Sequence, residues 1–180
     1  FLYVFVDTFI GGGLVIDSHL HAGLHGNAGA IGSMPLGLTG EAPGAAPAQL
    51  LSVASLLNLE RAFDAAGLDI AAASDERALQ PPWLAHTRQW LAQAAAAIAL
   101  AANSAACLLD LDGVIIDGSF SRELLQALLD ALPPAMDRYS WEGVTRPRVQ
   151  GGTIGSDARA IGGALLPLYA NFAPDRDLFL

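Results

Sequence analysis

Residues 111–117 (LDGVIID) constrain the fold of this chain more than any other segment. Val114, Ile115 and Ile116 form a short, near-continuous apolar run, without the polar alternation of a strand that has one wet face. The run reads as a parallel strand buried on both faces, and such a strand needs helices to cover it. The sequence offers them on either side. Pro81 and Pro82 open a long helical stretch that runs to about Ala106, proline being acceptable in a first turn. Its alanine-rich second half permits close packing of helix on sheet. After the strand, Ser119 or Ser121 caps a helix that ends near Leu132, with Arg122 and Glu123 in its first turn.

The other segments complete an α/β pattern. Residues 2–7 (LYVFVD) are β-branched and aromatic, as strands are. A glycine run follows, and then Leu14, Val15 and Ile16 form a strand that turns at Asp17-Ser18 and returns through His19 to His21. From Gly23 to Pro47 the chain is rich in glycine, proline and alanine with little periodicity, a long loop of the kind that usually carries function. Residues 48–66 form a helix with Leu50, Val53, Ala54 and Leu57 at helical spacing and Gly67 as its stop. Residues 74–80 are polar and irregular. Residues 145–150 (TRPRVQ) form a strand that Pro147 places at an edge. Ser156 or Asp157 caps a last helix through Tyr169, ended by Pro174. Three strands, then two helices, then strand, helix, strand and helix predict an α/β domain with helices on a sheet.

At 180 residues, 53% of them hydrophobic and 15% charged, the chain has material for one domain with a sizeable core. The stretch Trp90–Leu109 comes nearest to a membrane span, but Gln93, Asn103 and Ser104 interrupt it, which suits a buried helix better than lipid. No membrane contact is expected. The net charge of −9, with nine arginines spread along the chain, argues against direct nucleic-acid binding, which needs a basic patch. One cysteine, Cys107, excludes an internal disulfide and a cysteine-built zinc site. In the apolar segment AACLLDLD it reads as a buried structural thiol, and a reducing cytoplasm fits. Residues 1–16 lack the basic start of a secretory signal and contain Asp7. Because a strand pattern begins at Leu2, the expectation is the carboxyl-terminal part of a longer protein.

Chemistry-bearing patterns are few. Gly11, Gly12 and Gly13 directly follow a strand, where glycine lets backbone approach a ligand and present amides to a phosphate. Without a lysine or a following helix this is no Walker loop, and a tight hairpin explains it as well. His19 and His21 alternate onto one strand face, with His25 four residues on, which fits a surface hairpin or a shared metal. His86 stands alone on the long helix and reads as structural. Asp110 and Asp112 read as a strand-entry turn rather than an acid–base pair. Neither a G-x-S-x-G elbow nor an H-E-x-x-H motif occurs.

Taken together, Val6, Ile10, Gly11, Gly13, Leu14, Gly23, Gly29 and Gly32 keep the spacing of a longer signature. It resembles that of the ROK family (repressors, open reading frames and kinases), in which a glycine-rich turn and hairpin lead to a segment commonly AGEIGH. LLDLDGVIIDGSF resembles that family's strand ending in a glycine beside the nucleotide, and SDARAIGGALLPLYA resembles its final helix. The resemblance spans nearly the whole chain and corresponds to the second half of a ROK protein. It implies an actin-like ATPase, ribonuclease H-like lobe with a mixed sheet flanked by helices. Residues 1–180 would be one domain, with the first lobe and any DNA-binding domain outside the chain. It implies ligand-facing positions at Gly11, Gly12, Gly13, Asn27, Ala30, Ser33 and Gly118.

Several of those positions depart from the family's pattern. The glutamate and histidine of AGEIGH, which bind sugar hydroxyls in kinase members, fall at Ala30 and Ser33. The cysteine cluster of the family's zinc site corresponds to PLGLTGEAPGAAPAQ, without a cysteine. The glutamate after that cluster falls near Gln49 to Leu51, and Glu41 could replace it only in a rearranged loop. Phe9 stands where glycine is usual in the phosphate turn, and Asp117 precedes Gly118, where a carboxylate facing a nucleotide would repel it. The first phosphate motif (DxGxT) and the catalytic aspartate belong to the other half. The resemblance therefore implies the sensing and dimerising part of a ROK-type transcriptional regulator of carbohydrate metabolism, with no catalytic residue, metal or cofactor. It would be a homodimer that responds to a sugar or sugar phosphate and reaches DNA only through another domain. The alternatives are half of a divergent ATP-dependent sugar kinase, or a non-catalytic scaffold.

Overall fold

A computed structural model describes residues 1–40 and 42–172. Strands β1 (Leu2–Val6), β2 (Gly11–Ile16) and β3 (His19–His21) form an antiparallel meander, and β4 (Gly113–Gly118) and β5 (Arg148–Gly151) join it in the order β3-β2-β1-β4-β5. β1 pairs with β4 in parallel, setting Phe5 opposite Asp117 and Val6 opposite Gly118, and β4 pairs with β5 in parallel. The sheet is therefore mixed. Between β3 and β4 come α1 (Leu50–Ala54), α2 (Leu56–Ala65) and the long α3 (Leu84–Leu109); α4 (Arg122–Met136) connects β4 to β5, and α5 (Ala158–Phe172) ends the described chain. This is the α/β architecture expected, with β5 at an edge.

One sheet face carries the core. Leu2, Val4 and Val6 alternate inward on β1 and meet Val114 and Ile116 from β4, beneath α3 and α4. Ala94, Ala95, Ala99, Ala101 and Ala102 are buried on α3, and their small side chains let that helix lie close to its neighbours. The opposite face differs from the expectation of a strand buried on both sides: Ile115 is only half-buried, as are Tyr3 and Phe5 beside it. Their alternation with buried neighbours has period two, so the apolar run of β4 conceals a strand with one covered face.

The helix expected over 48–66 is two helices, broken at Ser55, whose ψ of 149° is extended. The break has a local cause. The Ser55 hydroxyl donates to the Leu51 carbonyl and accepts from the Ile10 amide at 3.0 Å, while its own carbonyl accepts from Trp90 Nε1 at 3.1 Å. Two distant donors, Ile10 and Trp90, thus hold Ser55 at the break, while its carbonyl also accepts from the Asn58 amide. α4 runs past Leu132 to Met136 through Pro133 and Pro134, and α3 begins at Leu84 rather than at the prolines. Residues 70–74 and 76–79 are short 3₁₀ turns capped by Asp69 and Asp75, the second within the stretch 74–80 that was expected to be irregular. The last strand covers 148–151, not 145–150, with Pro147 just outside it.

Ser121, rather than Ser119, caps α4, and Gly67 follows α2 with φ +69°. Cys107 is exposed, not buried: it lies at the end of α3, where Leu108 is 81% exposed as well. Among the described helices α3 is long and apolar enough by length and composition to cross a membrane, but 56% of its apolar window is buried inside the fold. Pro174 and Glu41 lie outside the described residues.

Candidate functional site

The carboxyl ends of two adjacent parallel strands, β1 and β4, meet at one edge of the domain, where open α/β sheets hold their ligands. The turn from β1 to β2 is fixed from behind by the start of α2: the Leu56 amide donates to the Asp7 carbonyl at 2.8 Å and the Leu57 amide to Thr8 at 3.4 Å. In front lies an open depression of about 320 Å³ bounded by Phe5, Phe9, Gly11, Gly12 and Arg159. Phe9 is 61% exposed on its rim, the bulk the sequence suggested.

Glycines here serve two purposes. At Gly11 an added Cβ would meet nothing within 4 Å, so its backbone faces open space. At Gly12 a Cβ would come within 2.7 Å of Ile31 Cγ2 and 2.9 Å of the Gly29 carbonyl. Gly12 is thus required by the loop that packs over the hairpin. That loop holds Gly29 at φ +81° against Gly13, and Ile31, 4% exposed, anchors it in the core. Gly118 is buried under the Phe120 ring, with the Val6 carbonyl 2.5 Å from where a Cβ would be. Internal packing accounts for glycine there.

The anchored loop presents a 3₁₀ turn, Ile31–Ser33, with Ala30 at its start. Asn27, Ala30 and Ser33 are all exposed. The turn lies beside the start of α1, where the Leu50 amide donates to the Met34 carbonyl and Gln49 Nε2 donates to the Ser33 carbonyl at 3.3 Å. Gln49, one of the residues flagged for the missing glutamate, is therefore brought to the expected neighbourhood as a neutral amide. The site offers a methyl, a short hydroxyl and carboxamides, groups that can bind hydroxyls weakly but supply no charge.

Two buried aspartates govern the strand ends. Asp117 is fully buried and does not face the depression. It accepts from the amides of Gly118 (2.9 Å), Ile154 (3.1 Å) and Gly155 (2.9 Å), from the Tyr3 hydroxyl (3.1 Å) and from Arg122 (3.1 Å). Burial pushes its carboxyl up, but the amides of Gly155 and Gly118, the Tyr3 hydroxyl and the Arg122 charge outweigh it and hold the group below the usual carboxylate range. Tyr3 answers in the opposite sense: burial, and then the Asp117 charge, push its phenol up to about 12. Asp7 is 6% exposed and accepts from the Thr8 amide (2.7 Å), the Ser119 hydroxyl (3.0 Å) and the Arg159 guanidinium. Asp7, Ser119 and Arg159 had no place in the expected ligand set, although a lone acid ending an apolar strand was the signal that could have found the first.

The histidines do not converge into a metal site: among the described residues no three His, Cys, Asp or Glu side chains do. His19 Nδ1 lies 2.7 Å from the Asp17 carbonyl in its own turn, and His86 packs edge-on against Phe63. Asp110 ends α3 in a left-handed turn and Asp112 pairs with Arg148 at 3.3 Å, the strand-entry geometry expected.

The model of the ROK family matches residues 1–168. Among solved structures, a ROK hexokinase from Thermus thermophilus is 25% identical with a TM-score of 0.64, over 91% of this chain and 55% of that one. A ROK family protein from Streptococcus pneumoniae, solved in complex with sucrose, is 24% identical with a TM-score of 0.70, over 94% and 57%. A ROK family transcriptional regulator, a homolog of the E. coli MLC protein, is 19% identical with a TM-score of 0.57, over 83% and 41%. The chain thus spans little more than half the length of the first two. No curated protein matches it.

Proposed function

This chain belongs to the ROK family, and from that premise we propose that it is the ligand-sensing and dimerising part of a cytoplasmic ROK-type transcriptional regulator of carbohydrate metabolism and carries out no phosphoryl transfer. One observation carries the reading. The exposed Ile31–Ser33 turn displays the methyl of Ala30 and the hydroxyl of Ser33 where the family resemblance calls for a glutamate and a histidine. A methyl can neither accept a hydroxyl's hydrogen bond nor orient it. The frame that shapes the turn persists at Gly12, Gly29 and Gly32, whose Cβ positions are all blocked. Shape without reactive groups suits a sensor.

The sucrose bound to the pneumococcal neighbour supports a sugar as effector. A zinc ion does not fit, since the loop supplies no cysteine and Cys107 stands at the end of α3. Dimerisation is supported by exposed apolar surface on α5, where Ile161, Leu165 and Leu168 follow helical spacing at 42%, 53% and 54% exposure. DNA would be held by a domain outside this acidic chain.

The test uses the full-length protein with magnesium-ATP and a panel of hexoses and N-acetylhexosamines. No ADP release above the sugar-free rate is expected, while one sugar raises the melting temperature and changes retention of operator DNA. Sugar-dependent ADP release would overturn the reading and establish a divergent sugar kinase, which the retained glycine skeleton favours as the second reading. Stabilisation by no sugar would leave only a scaffold, because a ligand of the folded state must raise its stability.

A further inference from the structure

The resemblance to ROK kinases implies a nucleotide near Gly11–Gly13 and Gly118, at the carboxyl ends of β1 and β4. We propose that this place is already taken by the protein's own anion: the Asp7 carboxylate closes a ready-made anion receptor against external phosphate. The receptor's parts come from separate elements. The Thr8 amide from the β1–β2 turn, the Ser119 hydroxyl from the β4–α4 link and the Arg159 guanidinium from α5 all donate to Asp7. An amide, a hydroxyl and a guanidinium converging on one point are the donors a phosphate oxygen takes. Here the two oxygens of one side chain take all three.

Charge and access argue the same way. The Asp7 side chain is 9% exposed, whereas that of Arg159 is 69% exposed on the wall of the 320 Å³ depression, beside the open backbone of Gly11. The guanidinium can be reached from solvent, but its charge is met from inside. A phosphate arriving there faces a fixed carboxylate a few ångströms away, and like charges at that range repel. The start of α2 cannot compensate, because its first amides are spent on the carbonyls of Asp7 and Thr8. Phe9 narrows the remaining approach. The residues present therefore do not fit a nucleotide's phosphates, and Asp7 is the chief reason.

This deepens the non-catalytic reading and rests on it only in expecting no turnover; the binding test below is read without any kinase or DNA assay, so either can fail alone. In the full chain, Asp7→Asn keeps the side chain's shape and its bond from Thr8 but frees Arg159. Inorganic phosphate, at ionic strength matched with chloride, is expected to protect Asp7→Asn against thermal unfolding and to bind it at least roughly tenfold more tightly than wild type. Asp7→Asn combined with Arg159→Met should lose that gain, and Asp7→Glu, which keeps the charge, should never show it. Equal phosphate affinity in wild type and Asp7→Asn overturns the proposal, as does a folded Asp7→Asn that phosphate leaves unprotected. Should Asp7→Asn fail to fold, Asp7→Ser is titrated in its place. The wild-type chain is titrated alone as well, and specific protection of it by phosphate refutes the closure directly.

Discussion

Replacing Asp117 by alanine is the sharpest test of how this edge of the domain is held together. The carboxylate is fully buried and gathers donors from β4, from residues 152–155 that lead into α5, from β1 and from α4. In Asp117→Ala the amides of Gly118 and Gly155, both in buried bonds, lose their acceptor. An orphaned buried donor costs about 1–3 kcal/mol, so the pair contributes roughly 2–6. Arg122 is 48% exposed and returns to water, adding at most about 1 kcal/mol. A loss of about 2–7 kcal/mol follows, or a melting-temperature drop of roughly 4–28 °C at this chain length. Urea melts followed by circular dichroism at pH 7 measure it. The sign with pH is fixed too. Because the native group is held below its unfolded value, its stabilisation is complete above about pH 4 and fades as pH falls through the depressed native value. The gap between wild type and Asp117→Ala must therefore narrow in acid. A loss under about 1 kcal/mol at pH 7, or a gap that widens in acid, would refute the account of Asp117 as the carboxylate that ties these elements together.

Tyr3, with its phenol pushed up to about 12, stabilises the fold fully below its unfolded value near 10 and loses that contribution as pH rises toward 12; Tyr3→Phe should flatten the alkaline limb of a stability–pH profile. Gly12→Ala should cost about 1–3 kcal/mol by denaturant melts, since its Cβ would lie 2.7 Å from Ile31, whereas Gly11→Ala, open within 4 Å, should cost less than about 1. Leu165→Glu, placed in the exposed stripe of α5, should shift the full-length protein toward monomer in light scattering without lowering its melting temperature by more than about 2 °C. Cys107, exposed at the end of α3, should react completely with a thiol reagent in the native state at a rate close to that in urea; protection would restore the buried thiol that its apolar neighbours suggested.

What could be read in the sequence was whatever depends on period and on backbone geometry. The meander, the long alanine-rich helix, the cap at Ser121 and the stop at Gly67 all follow from local pattern, whereas the packing of the Gly23–Pro47 loop over the hairpin does not. The failures have a common physical form: a tertiary partner decided the outcome. Ser55 breaks a helix because Ile10 and Trp90 claim its polar groups, and no helical periodicity encodes those distant donors. Val114–Ile116 reads as doubly buried because an apolar run is compatible with one or two covered faces. Cys107 reads as buried because its neighbours are apolar, yet at the end of α3 those neighbours, Leu108 and Leu109, are exposed too. In the site, Ala30 and Ser33 are singled out only against a family pattern. Asp7 and Arg159, 152 positions apart, were not, because only the fold brings them together.

On the proposed reading, the placement of Asp7 and Asp117 would make loss of phosphate chemistry a structural commitment rather than a set of missing side chains. Both acids stand at the carboxyl ends of neighbouring parallel strands, the positions from which such sheets address a ligand. If the chain had only lost reactive groups, these ends would still expose free amides and one uncompensated arginine. Instead, Asp117 takes the amides of Gly118, Ile154 and Gly155, and Asp7 takes Thr8, Ser119 and Arg159. Each carboxylate also ties the segment leading into α5, or α5 itself, to the sheet, so restoring a phosphate site would loosen the attachment of that helix. A single reversion should therefore trade stability for anion binding. Asp7→Asn is expected to melt below wild type without phosphate and to recover part of the difference when phosphate is added. A variant that gains phosphate binding with no loss of stability would show that Asp7 excludes the anion without holding α5, and the two roles assigned to it would separate.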